Sequence, residues 1–192
     1  MIPTEDNYAD WILIGIADYF RRIGWRVRVY SIGQVKEKKL PIDRIIAVNN
    51  KILGLQFKRP RNEGPPWEYD IDVNQQTLLS RLRWGFYCFP DFTDIRLQEV
   101  ALFHCMFERP SRAISGPRLV AKSSLYYRWG SFSDGFMSCL VGLVISGKEV
   151  DEVVELVYEN PEIAYLVLNK STKSVFVIGT RRANEYSQLD ID

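Results

Sequence analysis

Two apolar runs, Ile42–Val48 and Ile52–Phe57, flank Asn49-Asn50-Lys51, and this segment constrains the fold more than any other part of the chain. Asn tolerates left-handed backbone, so Asn49-Asn50 reads as the turn of a tight hairpin. A two-residue turn fixes the register. Val48 then faces Lys51, and Asp43 faces Gln56. Directly opposed residues of an antiparallel pair share a face, with Cβ atoms roughly 5 Å apart. Lys58 lies two residues beyond Gln56 and shares that face. A carboxylate, an amide and an ammonium thus converge at the end of a ribbon whose middle is Ile, Leu, Val and Ala.

The flanking pattern predicts a helix over residues 6–23, with Asp6 as its N-cap and Gly24 as its stop. Trp25–Ile32 alternates as a strand, with Arg26, Arg28 and Tyr30 on one basic face, and a Lys-rich loop follows. Asp72-Val73-Asn74-Gln75 has the form of a capping box and opens a helix to about Arg83. Phe86–Phe89 and Val100–Phe107 read as strands, and Pro110–Pro117 as a linker. Phe132–Ile145 and Glu149–Tyr158 read as helices, then Ala164–Leu168 and Ser174–Ile178 as strands. Strand runs flanked by helices predict an α/β fold, a mixed sheet with helices beside it. Residues 1–110 form its core, and 111–192 a C-terminal α/β elaboration.

Composition excludes several classes. Of the 192 residues, 46% are hydrophobic, enough for a real core. Net charge is +1, but residues 1–128 hold 20 basic and 14 acidic side chains, against 5 and 10 in 129–192. Only the front of the chain offers a positive face to an anionic partner. Glu149–Tyr158 pairs acids with a valine stripe, the pattern of a covering helix with one wet face. Cys88, Cys105 and Cys139 stand far apart and read as buried free thiols in a reducing compartment. The lone His104 sits in an apolar run and reads as a core residue. No G-x-S-x-G elbow, P-loop or G-x-G-x-x-G turn after a strand is present. No apolar run approaches the roughly 20 residues of a membrane span, and no secretory leader is evident, so the expected location is cytoplasmic.

The motif Pro41-x-Asp43, a dozen residues, then Gln56-x-Lys58 resembles the PD-(D/E)XK, or restriction-endonuclease-like, nuclease superfamily. The preceding helix, the Gly24-Trp25 break and the strand after it are similar to archaeal Holliday-junction resolvase cores, over about residues 5–90. Most members carry Asp or Glu where Gln56 stands, and some active ones carry Gln. The resemblance implies a restriction-endonuclease-like sheet and a metal-dependent DNA endonuclease. Mg²⁺ or Mn²⁺ would be held by Asp43, the Gln56 amide oxygen and the Phe57 carbonyl. The cation would polarise the phosphate and lower the pKa of a water that Lys58 orients. A first-helix acid completes such a shell, here Asp10 or else Glu5. Losing one charge at Gln56 implies weaker Mg²⁺ binding than in a Glu-bearing relative.

Lys36, Lys38, Lys39, Arg59 and Arg61 are the expected contacts to DNA phosphates, among further arginines interleaved with Trp25, Trp67 and Trp84. Asp70 reads as a solvated loop acid and Gln76 as a solvent-facing helix residue. A homodimer would suit cutting both strands. The alternative is a catalytically inactive nuclease-fold protein that binds nucleic acid or serves assembly. A third possibility is an α/β protein of unrelated function.

Overall fold

The computed structural model describes residues 2–33, 39–110, 116–119, 126–145, 149–161 and 164. Helix α1 (Glu5–Arg22) opens with a capping box. The Thr4 hydroxyl accepts from the Asn7 N–H at 3.2 Å, and Asn7 Oδ1 accepts from the Thr4 N–H at 3.1 Å. The cap is therefore Thr4, not Asp6. Asp6 sits in the first turn, where its charge suits the helix dipole, and pairs with Arg44 at 3.4 Å. Tyr8, Ala9, Ile12, Leu13, Ile16, Ala17 and Phe20 form the buried stripe. Gly24, at φ +81°, ends the helix, with the Trp25 N–H reaching back to the Phe20 carbonyl.

Strands β1 (Val27–Ser31), β2 (Arg44–Val48) and β3 (Lys51–Phe57) form an antiparallel meander. The hairpin has the expected register, with Val48 opposite Lys51 and Arg44 opposite Leu55. Asn49 takes φ 52° in the turn, and its side chain accepts from the Arg26 N–H. Strand β4 (Glu68–Ile71) and helix α2 (Val73–Leu79) follow. Strand β5 (Gly85–Pro90) lies parallel to β3. Strands β6 (Cys105–Glu108) and β8 (Tyr126–Tyr127) continue the sheet, while β7 (Gly116–Leu119) pairs with β4 in a separate ribbon. Helix α3 (Trp129–Met137) leads to β9 (Leu143–Val144), and helix α4 (Val150–Glu159) follows. β9 pairs with the start of β3, and β5 with its end. The result is a seven-stranded mixed sheet flanked by helices, an α/β fold.

Strand alternation divides the core. Ile46, Val48, Leu53, Leu55, Phe57, Phe86 and Phe107 pack with α1 and α3. Ile45, Ala47, Ile52, Tyr87, Phe89 and Met106 pack with α2, β4 and α4. Gly54 lies where β3 passes under the Trp84 ring and Ile42, and a Cβ there would stand 2.8 Å from the ring.

Several expected boundaries move. Residues 95–104 form a 3₁₀ helix, so only the end of Val100–Phe107 is strand. Its apolar run is not a two-faced strand pattern, because Val100 and Phe103 face solvent. The helix expected over Phe132–Ile145 is Trp129–Met137, ended by left-handed residues at Cys139 and Gly142. Helix α2 stops at Leu79, short of Arg83, because Leu82 and Trp84 turn inward as core. Part of the linker expected over Pro110–Pro117 enters β7. Asp70 stands on β4 rather than in a loop. Ala164 is helical rather than strand, and Tyr165–Leu168 and Ser174–Ile178 lie outside the described residues.

The thiols also differ from expectation. Cys88 and Cys105 are joined as a disulfide between β5 and β6, with Cα atoms 6.4 Å apart, and Cys139 is free and exposed. Among the described residues no helix is long and apolar enough to cross a membrane.

Candidate functional site

The hairpin brings Asp43 and Gln56 together at the carboxyl end of β3. The Asp43 N–H donates to the Leu55 carbonyl at 2.9 Å, extending the β2–β3 ladder by one residue. Gln56 Nε2 lies across the Asp43 carboxylate, 2.8 Å from Oδ1 and 2.9 Å from Oδ2. The Phe57 N–H donates to Oδ2 at 2.6 Å. Gln56 is 2% exposed, and its Oε1 has no hydrogen-bond partner among the described residues. Asp43 is half-buried. The Lys58 N–H reaches the Cys88 carbonyl at 3.1 Å, so the chain continues its alternation past β3 and puts Lys58 on Gln56's face. Lys58 is half-buried, and its ammonium has no ion pair among the described residues.

The segment that follows Lys58 lines a cleft of about 430 Å³, with Ile2, Glu5, Arg59, Pro60, Arg61 and Asp70 in its wall. The Glu5 carboxylate accepts from the Arg59 N–H at 3.3 Å, which ties the start of α1 to the segment after β3. Arg61 pairs with Asp70 at 3.4 Å. Of the two helix acids, Glu5 is therefore the one held against the segment that follows Lys58. Asp10 stands on the exposed side of α1, between the buried pairs Tyr8-Ala9 and Ile12-Leu13. Arg59 and Arg61 are both exposed. Lys39 is exposed, and Lys36 and Lys38 lie outside the described residues.

Other sequence expectations change. Arg28 does not present a free basic face, because α4 lies over it and Asp151 pairs with both Arg28 and the Tyr30 hydroxyl. Trp84 is fully buried and Trp25 stacks on Phe20, so neither is a free platform for bases. Asp72 caps α2 by accepting from the Gln75 N–H at 2.7 Å. Gln76 does not face solvent. It is 1% exposed, on the α2 face that also buries Leu79. His104 is not core either. Its side chain is 42% exposed, and Nδ1 stands 3.9 Å from Asp91, which Arg128 pairs with at 2.6 Å.

Sequence reasoning missed a row of polar side chains. Gln56 is level with Tyr87 on β5, and Tyr87 with Glu108 on β6. Strand alternation puts all three, with Asp43, on the sheet face that carries Phe89 and Met106. Tyr87 and Glu108 are fully buried. The signal was an acid ending an apolar run, at Glu108 after Cys105-Met106-Phe107.

The donors suit a hard divalent cation in type. They are one carboxylate, one carbonyl and an amide oxygen left without a partner, all oxygen. Among the described residues no group of three or more His, Cys, Asp or Glu side chains is placed to hold a metal. Asp43 would thus be the charged ligand of a mostly neutral set. No protein-family model matches the chain, and no curated protein or solved structure does either.

Proposed function

We propose that the chain is a divalent-metal-dependent nuclease, with Asp43, Gln56 and Lys58 at its reacting centre. The observation that carries this reading is the convergence of Asp43 and Gln56 on adjacent strands, with Lys58 following on the same face. The place supports it as well. β3 and β5 run parallel, and ligands of open α/β sheets bind beyond the carboxyl ends of such strands.

In this reading Asp43, the Gln56 oxygen and the Phe57 carbonyl hold Mg²⁺ or Mn²⁺. The cation supplies Lewis acidity and a lowered pKa for water. Asp43 is oriented by the Phe57 N–H. Lys58, a mobile point charge, orients the attacking water and offsets the charge that grows on the phosphoryl oxygens. Arg59 and Arg61 along the cleft meet substrate phosphates, with affinity falling as salt rises. DNA is the substrate class this surface fits, and a two-fold dimer the assembly suited to cutting both strands.

One observation favours a second reading, a nucleic-acid-binding or assembly module without turnover. Both Asp43 oxygens already accept from Gln56. Supercoiled plasmid incubated with Mg²⁺ or Mn²⁺, with EDTA controls, separates the two. The nuclease reading expects cleavage that falls about 10²-fold or more in both Asp43→Asn and Lys58→Ala. Salt-sensitive gel shifts without cleavage would establish the binder. Neither activity would leave an α/β protein of another function.

A further inference from the structure

The Gln56 carboxamide has an orientation that needs explaining. Its Nε2 donates to both oxygens of one carboxylate and, at 3.4 Å, to the Phe57 carbonyl, while its Oε1, equally buried, makes no hydrogen bond. An unsatisfied buried acceptor is costly, so the bonds to Asp43 decide the orientation. A primary amide is nearly symmetric in shape. Turning it by half a rotation about its last side-chain bond exchanges oxygen and nitrogen without moving other atoms. Without a cation between them, the turned amide would face an oxygen toward a carboxylate. With a cation between them, that same orientation supplies a ligand, and the unturned one supplies none.

We propose that Gln56 is a two-position element: its amide nitrogen takes the place of a cation beside Asp43, and the amide turns to present Oε1 when a divalent cation enters. This rests on reading the notch as a cation site. An acid at position 56 has no such alternative. Two adjacent carboxylates under a helical layer repel, and need a proton or a metal to sit together. Gln56 therefore lets the sheet close with the Asp43 carboxylate already bonded, and a metal must displace the Gln56 N–H bonds to Asp43 and to the Phe57 carbonyl to bind. The amide makes the folded state independent of the cation and lowers affinity for it.

The test is heteronuclear NMR of the full chain during Mg²⁺ titration. Two probes are followed: the Phe57 backbone N–H, which donates to Asp43, and the Gln56 side-chain NH₂, assigned through its contacts to Phe57. The expected result is saturable shifts of both with one apparent Kd, and faster hydrogen exchange of the Gln56 NH₂ once saturated. A saturable Phe57 shift with the Gln56 NH₂ unmoved and still protected would overturn the proposal and leave the cation site standing. No saturable shift at either probe would overturn both. Thermal melting gives a second arm. Gln56→Glu should melt below the parent in EDTA, and Mg²⁺ should raise its melting temperature by more than the parent's. Equal responses to Mg²⁺ in the two proteins would also overturn the proposal.

Discussion

Lys51 shows what a single buried charge does in this molecule. It is 9% exposed, at the first position of β3. Its ammonium donates to the carbonyls of Phe136 at 3.0 Å and Met137 at 2.7 Å, the end of α3. It also stands 5.5 Å from the Trp25 ring centre and 5.6 Å from that of Phe136. A cation at a helix C-terminus meets the negative end of the dipole, and the rings add quadrupole attraction. Replacing Lys51 with Met keeps the stem and leaves two carbonyls without their donor. The expected loss is about 1–3 kcal/mol, measured by urea unfolding. Asp43 and Gln56 were legible from sequence because a two-residue turn leaves no freedom in the register. Lys51 and Gln76 were not, since what buries each is a helix that the hairpin pattern does not encode. The choice between Asp10 and Glu5 was illegible too, because it depends on how α1 crosses the sheet.

Helix α4 is joined to β1 by polar contacts as well as by packing. The Tyr30 hydroxyl and Arg28 both meet Asp151 in its first turn. The hydrogen bond from Tyr30 holds the Asp151 carboxyl below the usual carboxylate range, with Arg28 adding to it. Burial, then the bond to Asp151, pushes the Tyr30 hydroxyl up. An acid depressed in the folded state contributes stability above its unfolded pKa of about 3.9, and loses it as pH falls through the lower folded value. The melting-temperature difference between the parent and Asp151→Asn should therefore be constant above that range and shrink toward zero as acidification proceeds below it. Boundaries were the weak point of sequence reasoning at this scale. Val100–Phe107 offered an apolar run of strand length, yet Phe103 faces solvent in a 3₁₀ helix. Cys139 and Gly142 ended α3 early through left-handed backbone, which in a non-glycine residue composition does not announce.

The whole molecule covers its sheet with its first helix and with α4. α1 covers one face, and α4 covers the β1–β2 part of the other with Val150, Val153, Val154 and Val157. Burying those four side chains is worth roughly 5–10 kcal/mol as an upper bound, comparable to the net stability of a domain. A chain ending at residue 148 should thus expose Ile32, Leu40 and Ile45, self-associate in gel filtration and bind a hydrophobic dye. A monomeric, cooperatively melting product would show that the C-terminal segment is dispensable to the core. The valine stripe made this covering role visible in advance, as alternation did for the α/β class. The sheet order beyond β5 was not visible, because short strands such as β8 and β9 carry too few residues to show a period.

The split partnership of β3 bears on how the notch behaves in solution. Its first residues lean on β9 and its last on β5, while β2 runs along the opposite side. Fraying at the rim strands β1 and β8 can therefore proceed without loosening the backbone that carries Gln56. Gln56 thus keeps its place when the rim opens, whereas Asp43, whose carbonyl accepts from the Ile32 N–H just past β1, is the partner that such opening reaches first.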